Sequence, residues 1–371
     1  MTGPSRPREH VFVCPPLDGP VTGGTLYNRE LYRALAARGV AVRALSLGEA
    51  LGAPFEAAWP VPRDGSARVW IDSLYMEHAP ALRRATGAAD AGSIGLVVHY
   101  LPSLVALGRA PSRGELSVVE RDALDSVGCF LATSAFMRDV LLGAGVSAAR
   151  VVVIVPGLDW IGEPFTPPAG ADTGGAIPLS GERTRREGPL SALMIANQVS
   201  GKGIVPFLRA LDAALDDEAA LRLSIVGSAA LDDGYARECR GAVAAGSRVR
   251  RCVRLEGPLS RRALLELLEG ADVLVSASRM ESFGMALAEA RALGVPILAL
   301  AGGNTASLVD ADSGGELFSD DASLARALVR LGRDREELDA RARRARRRRL
   351  RRTWDAAAAE FVAARFESRA P

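Results

Sequence analysis

The chain has 371 residues, of which 48% are hydrophobic and 24% are charged, and its formal net charge is +2 at pH 7. A chain of this length is expected to form about two domains, and this composition excludes an intrinsically disordered protein. The small net charge excludes the general attraction to nucleic acid that strongly basic proteins show, so no nucleic-acid partner is expected.

The cysteines and the N-terminus indicate the compartment. The four cysteines, at positions 14, 129, 239 and 252, lack the spacing of a metal site, which predicts free thiols in a reducing environment. The N-terminus has no apolar core of the signal-peptide type, and no uninterrupted apolar run reaches the roughly 18 residues that a membrane span needs. These features predict a cytoplasmic location.

Strands and helices alternate through the first half of the chain. The pattern predicts strands at 10–14, 40–45, 69–73, 94–99, 129–133 and 151–155, and helices at 26–37, 116–124 and 135–142. A Gly/Pro-rich loop is predicted at 18–24, and Gly39 is a stop signal for the first helix. Such alternation predicts a parallel sheet with helices on both faces.

A second alternating block follows residues 163–189, which are rich in Pro, Gly and polar side chains and are predicted to form a linker or mobile surface loop. The predicted strands are 190–196, 221–226, 253–255, 273–275 and 295–300, and the predicted helices are 205–214, 262–268 and 285–293. The simplest arrangement is two α/β domains that face each other across a cleft.

The most informative segment is 271–299, ADVLVSASRMESFGMALAEARALGVPILA. Glu281 lies in the loop after a predicted strand, and Glu289 lies within the following helix. The helix start between them offers free N–H groups and a partial positive charge of roughly half a unit, which favours phosphate. Carboxylates on both sides of a phosphate site suggest a nucleotide-sugar, which has hydroxyls at both ends. The alternative is an ordinary βαβ unit with Glu281 in a loop and Glu289 on a solvated helix face.

Glu281-Ser-Phe-Gly, Glu289 and Gly294-Val-Pro resemble the signature of family-4 glycosyltransferases, which are retaining enzymes of the GT-B fold. The resemblance covers most of the chain, from Gly23 to about Trp354. It implies that Glu281 lies by the donor sugar and that Glu289 holds the two ribose hydroxyls. The helix start assigned to donor binding comprises Phe283, Gly284, Met285 and Ala286.

The resemblance implies further donor-site residues. Lys202 occupies the position of a lysine that contacts the donor diphosphate. The family usually has an arginine five residues earlier, where this chain has Asn197, which can donate a hydrogen bond but brings no charge. Gly23 and Gly24 resemble a glycine-rich loop that approaches the donor phosphates from the opposite domain. The segment whose backbone would meet the nucleobase includes Gly257, Pro258 and Leu259.

His99 ends a predicted buried strand, and ligands of α/β proteins bind at the carboxyl ends of such strands. The resemblance implies a histidine here near the donor sugar and the reacting centre, so His99 and Glu281 are the predicted catalytic residues. Glu120, Arg121 and Ser134 also match family positions and are predicted to be structural. No Asp-x-Asp or Asp/His cluster suggests metal ligation, which predicts a metal-independent enzyme without a cofactor, with a UDP- or GDP-linked sugar as co-substrate.

Nine arginines lie between positions 341 and 352, followed by Trp354 and an Ala-rich, helix-like segment. Such a run can mark peripheral contact with an anionic membrane surface or with nucleic acid, and the alternative is a solvated helix face. The resemblance implies that the last helix crosses back onto the N-terminal domain, with Trp354 and Phe361 as packing anchors.

We therefore expect a GT-B protein of two Rossmann-like domains, an acceptor-side domain at 1–158 and a nucleotide-sugar-binding domain at 159–350, with a crossover helix at 351–371. The expected activity is transfer of a sugar, with retention, to a hydroxyl of a small-molecule, oligosaccharide or lipid-linked acceptor, by a monomer or homodimer. The alternatives are a nucleotide-sugar-binding partner protein without turnover, or another GT-B enzyme such as a sugar-nucleotide epimerase or a phosphorylase. A Rossmann dehydrogenase is disfavoured, because Gly19, Gly23 and Gly24 do not form G-x-G-x-x-G.

Overall fold

The computed structural model describes residues 9–18, 22–51, 67–85, 93–159, 188–364 and 366. The chain divides into two compact units, one made of residues 1–157 and 352–371 and the other of residues 158–351. The boundaries predicted from the sequence follow residues 158 and 350. The predicted linker at 163–189 lies outside the described residues except for its last two.

The first unit contains one parallel sheet with helices between its strands. Its strands are β1 (Glu9–Val13), β2 (Val42–Leu45), β3 (Ala67–Asp72), β4 (Ile94–Val98), β5 (Cys129–Ala132) and β6 (Val151–Val153). Its helices, up to β6, are α1 (Gly23–Ala37), α2 (Leu47–Leu51), α3 (Ala79–Ala85), α4 (Pro102–Leu107), α5 (Val118–Ser126) and α6 (Ala135–Gly143). The strand order is β2-β1-β3-β4-β5-β6, and every pair is parallel. Every residue of β3, β4 and β5 is buried, as a sheet covered on both faces requires.

The prediction of a loop at 18–24 is wrong for its last two residues, because α1 already begins at Gly23. The Thr22 side chain accepts a hydrogen bond from the Thr25 nitrogen, and the Thr22 nitrogen donates to Thr25 Oγ1 at 2.7 Å. This capping box starts the helix three residues earlier than the apolar pattern indicates. Gly23 and Gly24 are therefore in the first turn of a helix, not in a glycine-rich loop.

The second unit has the same architecture. Its strands are β7 (Leu190–Ile195), β8 (Leu221–Val226), β9 (Val253–Glu256), β10 (Val273–Ser276), β11 (Ile297–Leu300) and β12 (Glu316–Phe318). Its helices are α7 (Ile204–Ala214), α8 (Asp233–Ala245), α9 (Val249–Cys252), α10 (Arg261–Gly270), α11 (Met285–Leu293), α12 (Thr305–Leu308), α13 (Asp321–Arg333) and α14 (Arg335–Arg347). The strands run parallel in the order β12-β11-β10-β7-β8-β9. The predicted class, α/β with two parallel Rossmann-like sheets, is confirmed.

Several elements of the second unit were not predicted. The strand β12 has three residues, lies at the sheet edge and is only half-buried, so it leaves no alternating apolar pattern. The helices α8 and α13 were also missed, although Asp232 and Asp320 cap them through their side chains. Apolar residues of α13 join those of α7 in the core of this unit, including Phe207, Leu324 and Leu328.

The last helix, α15 (Trp354–Ala363), belongs to the first unit, as predicted for a crossover helix. Trp354 and Phe361 are both buried, and the Trp354 ring meets the Tyr27 ring of α1 at 5.5 Å. Phe361 packs 5.4 Å from Trp70 and 4.9 Å from His10, in an aromatic cluster against the sheet. These aromatic contacts anchor the end of the chain to β1, β3 and α1.

Gly157 follows the end of β6 by four residues and lies against the start of α15. A Cβ added to Gly157 would overlap the backbone at Thr353 and Trp354, which cannot rotate away as a side chain could. We expect Gly157→Ala to lower the free energy of unfolding by about 1–3 kcal/mol or more, measured by guanidinium chloride denaturation. Gly48→Ala is the control, since its Cβ would meet nothing within 4 Å. Equal stability of the two variants would contradict the close approach.

Candidate functional site

The predicted donor residues of the second unit follow strands of its sheet. Asn197 and Lys202 come after β7, Gly257 comes after β9, and Glu281 comes after β10. Because all these strands are parallel, their carboxyl ends lie at one edge of the sheet. This edge is where ligands bind in open α/β sheets.

Lys202 and Glu281 form an ion pair, with 2.6 Å between Nζ and Oε1. Their loops are joined by a hydrogen bond from the Arg279 nitrogen to the Gly201 oxygen at 2.9 Å. Gly203 has a φ of +64°, and a Cβ there would overlap the Ala277 carbonyl. The glycine therefore allows the two loops to pack backbone to backbone and brings the predicted lysine and carboxylate together.

Asn304 holds the Glu281 loop from the other side, a role that the sequence did not predict. It is buried, its backbone nitrogen donates to the Glu281 oxygen at 2.7 Å, and its Nδ2 donates to the Phe283 oxygen at 2.8 Å. Gly303, with a φ of +60°, forms an isolated parallel bridge with Glu281. The sequence signal was the run Gly302-Gly303-Asn304, in which only glycines avoid a clash with the Glu281 loop.

The helix α11 starts at this loop. Gly284 is its N-cap, with a φ of +92° and no side-chain cap hydrogen bond. The first N–H groups of an α-helix have no partner within the helix, so those of Met285 and Ala286 are candidate anion donors. Phe283 is buried and fixes the position of the loop before the helix. The assignment of this helix start to a diphosphate stays a prediction.

Glu289 is 2% exposed, so the alternative of a solvated helix residue is wrong. Its Oε1 lies 2.5 Å from Nη2 of Arg261, the first residue of α10. A buried carboxylate is costly unless it is paired and hydrogen-bonded, and Arg261 provides the pairing charge. Arg261 was missed, because no local pattern links positions 28 residues apart.

The remaining predicted donor residues have modest local roles. Asn197 accepts a hydrogen bond at Oδ1 from the Ser228 nitrogen at 2.9 Å, which ties the ends of β7 and β8 together. Gly257, Pro258 and Leu259 form an exposed loop between β9 and α10. Their backbone is therefore accessible, and Arg261 begins the helix that follows them.

His99 and Gly24 come together in the first unit. The His99 nitrogen donates to Ser73 Oγ at 3.1 Å, and its ring packs edge-on against Tyr27 at 5.3 Å. A Cβ added to Gly24 would lie 3.2 Å from the His99 ring, so Gly24 accommodates this ring. Gly23 is exposed at the start of α1. His99, Gly23 and Gly24 belong to the first unit, and the other predicted site residues belong to the second.

Three further residues that match the family have structural contacts. Glu120 is buried and accepts hydrogen bonds from the backbone nitrogens of Ser103 and Ser117, both at 2.8 Å. Ser134 caps α6 by accepting a hydrogen bond from the Met137 nitrogen. Arg121 donates to the Leu116 oxygen. These contacts fix helix ends in the first unit.

His99 should make stability depend on pH. Burial lowers the pKa of His99 below its ordinary 6.5, against the opposing effect of Asp72. The unfolded chain then binds a proton that the folded chain does not, so the free energy of unfolding falls as pH drops through 6.5 and is retained above it. We expect denaturation curves from about pH 8 to about pH 5 to show a smaller loss of stability in His99→Gln than in the parent. Identical pH dependence of the two proteins would contradict this expectation.

Much of the arginine run takes part in ion pairs. Arg341 pairs with Glu337 at 2.7 Å and with Glu316 at 2.5 Å. Arg352 pairs with Glu360 and donates to the Val155 oxygen at 3.0 Å. This part of the run stabilises the fold. The exposed members include Arg343, Arg347 and Arg351.

The part of the chain that the structure describes contains neither a transmembrane helix nor a metal-binding cluster. None of its helices combines the length and hydrophobicity that are needed to span a bilayer. It contains no group of three or more His, Cys, Asp or Glu side chains arranged to hold a metal ion.

Residues 179–349 match the family model described as "Glycosyl transferases group 1". The chain is 28% identical over 270 residues to a D-inositol 3-phosphate glycosyltransferase of Xylanimonas cellulosilytica, which covers 70% of this chain and 63% of that protein. It is 29% identical over 228 residues to the protein of the same name from Corynebacterium urealyticum, with 55% and 51% coverage. The chain thus spans less than two thirds of the length of these curated relatives.

Solved structures with the same fold cover nearly the whole chain. Sucrose-phosphate synthase from Thermosynechococcus elongatus aligns with a TM-score of 0.68, 18% identity and coverage of 96% of this chain and 98% of that one. HepE from Anabaena, in complex with UDP and glucose, aligns with the same TM-score and coverage at 15% identity. These neighbours confirm the predicted GT-B fold.

Proposed function

We propose that the protein is a glycosyltransferase that moves a sugar from a nucleotide-sugar to an acceptor hydroxyl. The observation that carries the proposal is the pair Glu281 and Glu289 on either side of the α11 start, with Lys202 paired to Glu281. This group lies within the segment that matches the family model. We assign donor binding to the second unit and acceptor binding to the first.

The donor is held by three kinds of contact in this proposal. Glu289 accepts hydrogen bonds from the ribose hydroxyls while Arg261 holds its carboxylate in place. The α11 start and Lys202 bind the diphosphate. For this contact, the Lys202 ammonium group donates a hydrogen bond to phosphate in addition to the one it makes with Glu281. Glu281 and His99 then orient the sugar.

The proposed reaction is transfer with retention, as expected for family 4, without a metal ion. The bond between the anomeric carbon and the diphosphate oxygen breaks, and the acceptor oxygen bonds to the same face of that carbon. The acceptor proton passes to the leaving diphosphate. Lys202 and the α11 start stabilise the negative charge that grows on the leaving group.

The acceptor is proposed from the relatives. The curated proteins are named for D-inositol 3-phosphate, which favours a phosphorylated cyclitol among the small-molecule, oligosaccharide and lipid-linked acceptors. The donor base is proposed to be uracil or guanine, and HepE was solved with UDP and glucose. We further propose a cytoplasmic monomer or homodimer whose only membrane contact would use exposed arginines such as Arg343 and Arg347.

A thermal-shift screen with UDP, GDP, ADP, dTDP and their common sugar conjugates tests the donor site. A ligand at 100 times its dissociation constant adds about 2.7 kcal/mol, which raises the melting temperature by several degrees. The stabilising donor is then incubated with D-inositol 3-phosphate, and released nucleoside diphosphate is measured. A flat screen and no release would contradict the proposal.

The second candidate is a nucleotide-sugar-binding protein without turnover. Asn197 favours it, because this position brings no charge and its Oδ1 accepts from the Ser228 backbone. Tight binding of a nucleotide-sugar with no diphosphate release in the presence of acceptors would identify this function. Conversion of the donor to another nucleotide-sugar without acceptor would instead identify an epimerase.

A further inference from the structure

A row of buried polar side chains in the first unit ends at His99. Asp72 is the last residue of β3, Asn28 lies in α1, and His99 follows β4. Asn28 Nδ2 donates to Asp72 Oδ2 at 2.5 Å, and His99 Nε2 lies 3.0 Å from Asn28 Oδ1. Asp72 and Asn28 are only 1% and 2% exposed. Buried polar groups are costly unless they are hydrogen-bonded, so each partner in this row constrains the next.

The hydrogen bonds in this row have fixed directions. A carboxylate only accepts, and Asp72 Oδ1 already accepts from the Leu74 nitrogen at 2.7 Å. Asn28 must therefore turn its NH2 group toward Asp72 Oδ2 and its carbonyl oxygen toward His99. Because that oxygen cannot donate, His99 Nε2 must carry the proton. Asp72 Oδ2 lies 3.4 Å from the same nitrogen and favours the same proton position.

The opposite ring nitrogen of His99 is left with its lone pair. In a neutral imidazole with the proton on Nε2, Nδ1 is an acceptor. Within the described ranges, the hydrogen bond of the His99 ring is made by Nε2 and not by Nδ1. Nδ1 does not belong to the fully buried polar atoms without a partner, so it keeps some exposure. Nδ1 lies 3.6 Å from where a Cβ of residue 24 would be, so glycine at this position keeps a side chain away from the acceptor nitrogen.

We propose that Asn28 and Asp72 are positioning residues that hold His99 as the Nε2–H tautomer, so that Nδ1 accepts a hydrogen bond from a ligand hydroxyl. The tautomer does not depend on the proposed function. The statement that the hydroxyl belongs to the donor sugar rests on the proposed function. An acceptor at Nδ1 suits a hydroxyl and disfavours phosphate oxygens. His99 is therefore a sugar contact and not part of the diphosphate site.

Burial and the N-terminus of α1 favour the neutral form of the ring, whereas the Asp72 carboxylate opposes it. Asp72 is the carboxylate that faces it, while the N-terminus of α1, beside Gly24, brings a partial positive charge. Burial raises the pKa of Tyr27 well above its ordinary value and that of Cys14, which is near Asp72, to about 12, so both stay neutral. Burial also lowers the pKa of His99 despite Asp72.

The tautomer can be read directly by NMR of protein labelled with 15N-histidine. The chain has three histidines, and the His99 signals are assigned by comparison with His99→Gln. Long-range 1H–15N spectra at pH 7.5 should show a protonated Nε2 and an unprotonated Nδ1 for His99. His10 is an internal reference, because its Nδ1 accepts from Trp70 Nε1 at 3.1 Å, which fixes the same tautomer by a different partner. A proton on Nδ1 of His99 would overturn the proposal.

Two variants test the positioning role of Asn28. Asn28→Ala should weaken the preference for Nε2–H at His99, because only Asp72 then faces this nitrogen. The His10 signals should stay unchanged, which shows that the unit is folded. Asn28→Asp should raise the pKa of His99, because a second carboxylate then faces the ring. An unchanged His99 tautomer in Asn28→Ala, with an unchanged pKa in Asn28→Asp, would overturn the role of Asn28.

A ligand titration separates the tautomer from the proposed function. Saturating UDP-glucose should shift the Nδ1 signal of His99, whereas UDP, which lacks the sugar, should not. A correct tautomer with no response to UDP-glucose that binds would overturn the hydroxyl contact. A correct tautomer in a protein that binds no nucleotide would leave the positioning role standing and would contradict the proposed function.

Discussion

Replacing Glu289 by alanine is expected to weaken nucleoside diphosphate binding about 10- to 100-fold. The variant removes the carboxylate that is proposed to accept the ribose hydroxyls, and hydrogen bonds to charged groups contribute about 1.5–3 kcal/mol. It also leaves Arg261 without the carboxylate that lies 2.5 Å from its Nη2. Both effects act at the place where the ribose is proposed to bind. Isothermal titration calorimetry with the nucleotide found in the thermal screen measures the loss.

The control for this variant is Glu316→Ala. Glu316 also pairs with an arginine of the second unit, Arg341, at 2.5 Å, but it lies on β12 rather than on α11. A general effect of deleting a Glu–Arg pair would therefore appear in both variants as reduced stability. Loss of nucleotide affinity should appear only in Glu289→Ala. Unchanged affinity in Glu289→Ala would refute the ribose assignment.

Replacing Lys202 by alanine is expected to lower kcat/KM about 10²- to 10³-fold, with little change in stability. The ammonium group is proposed to stabilise charge on the leaving diphosphate, and deleting one such contact typically costs about 2.7–4 kcal/mol in the transition state. Its pair with Glu281 is partly exposed, and such pairs contribute about 0–1 kcal/mol to stability. Initial rates of diphosphate release and a denaturation curve measure the two effects.

Arg251→Ala is the matched control for the lysine variant. Arg251 and Asp217 form an exposed ion pair in the same unit at 2.9 Å, and neither residue belongs to the proposed site. Its deletion should leave both turnover and stability close to those of the parent. If Lys202→Ala kept full turnover and only lost stability, Lys202 would be a structural partner of Glu281 and not a phosphate contact.

The local part of the candidate site was predictable from sequence. The helix start after Phe283 was predicted because strand, loop and helix follow one another within about a dozen residues and Gly294 ends the helix in a left-handed conformation. Lys202 and Glu281 were named separately, and strand order explains why they meet. Their strands, β7 and β10, are neighbours in the sheet although the end of β7, Ile195, and the start of β10, Val273, are 78 positions apart.

What the sequence determined by itself was therefore the alternation of strands and helices and the residue types that suit a nucleotide-sugar. The alternation follows from hydrophobic periodicity and stop signals such as Gly39, which act over a few residues. Only the tertiary structure decided that Asn28 and Asp72 orient His99, that Arg261 pairs with Glu289 and that Asn304 holds the Glu281 loop. These contacts join residues 21 to 71 positions apart, and they depend on the fold because burial makes an unpaired polar group costly and only the sheet order brings these partners together.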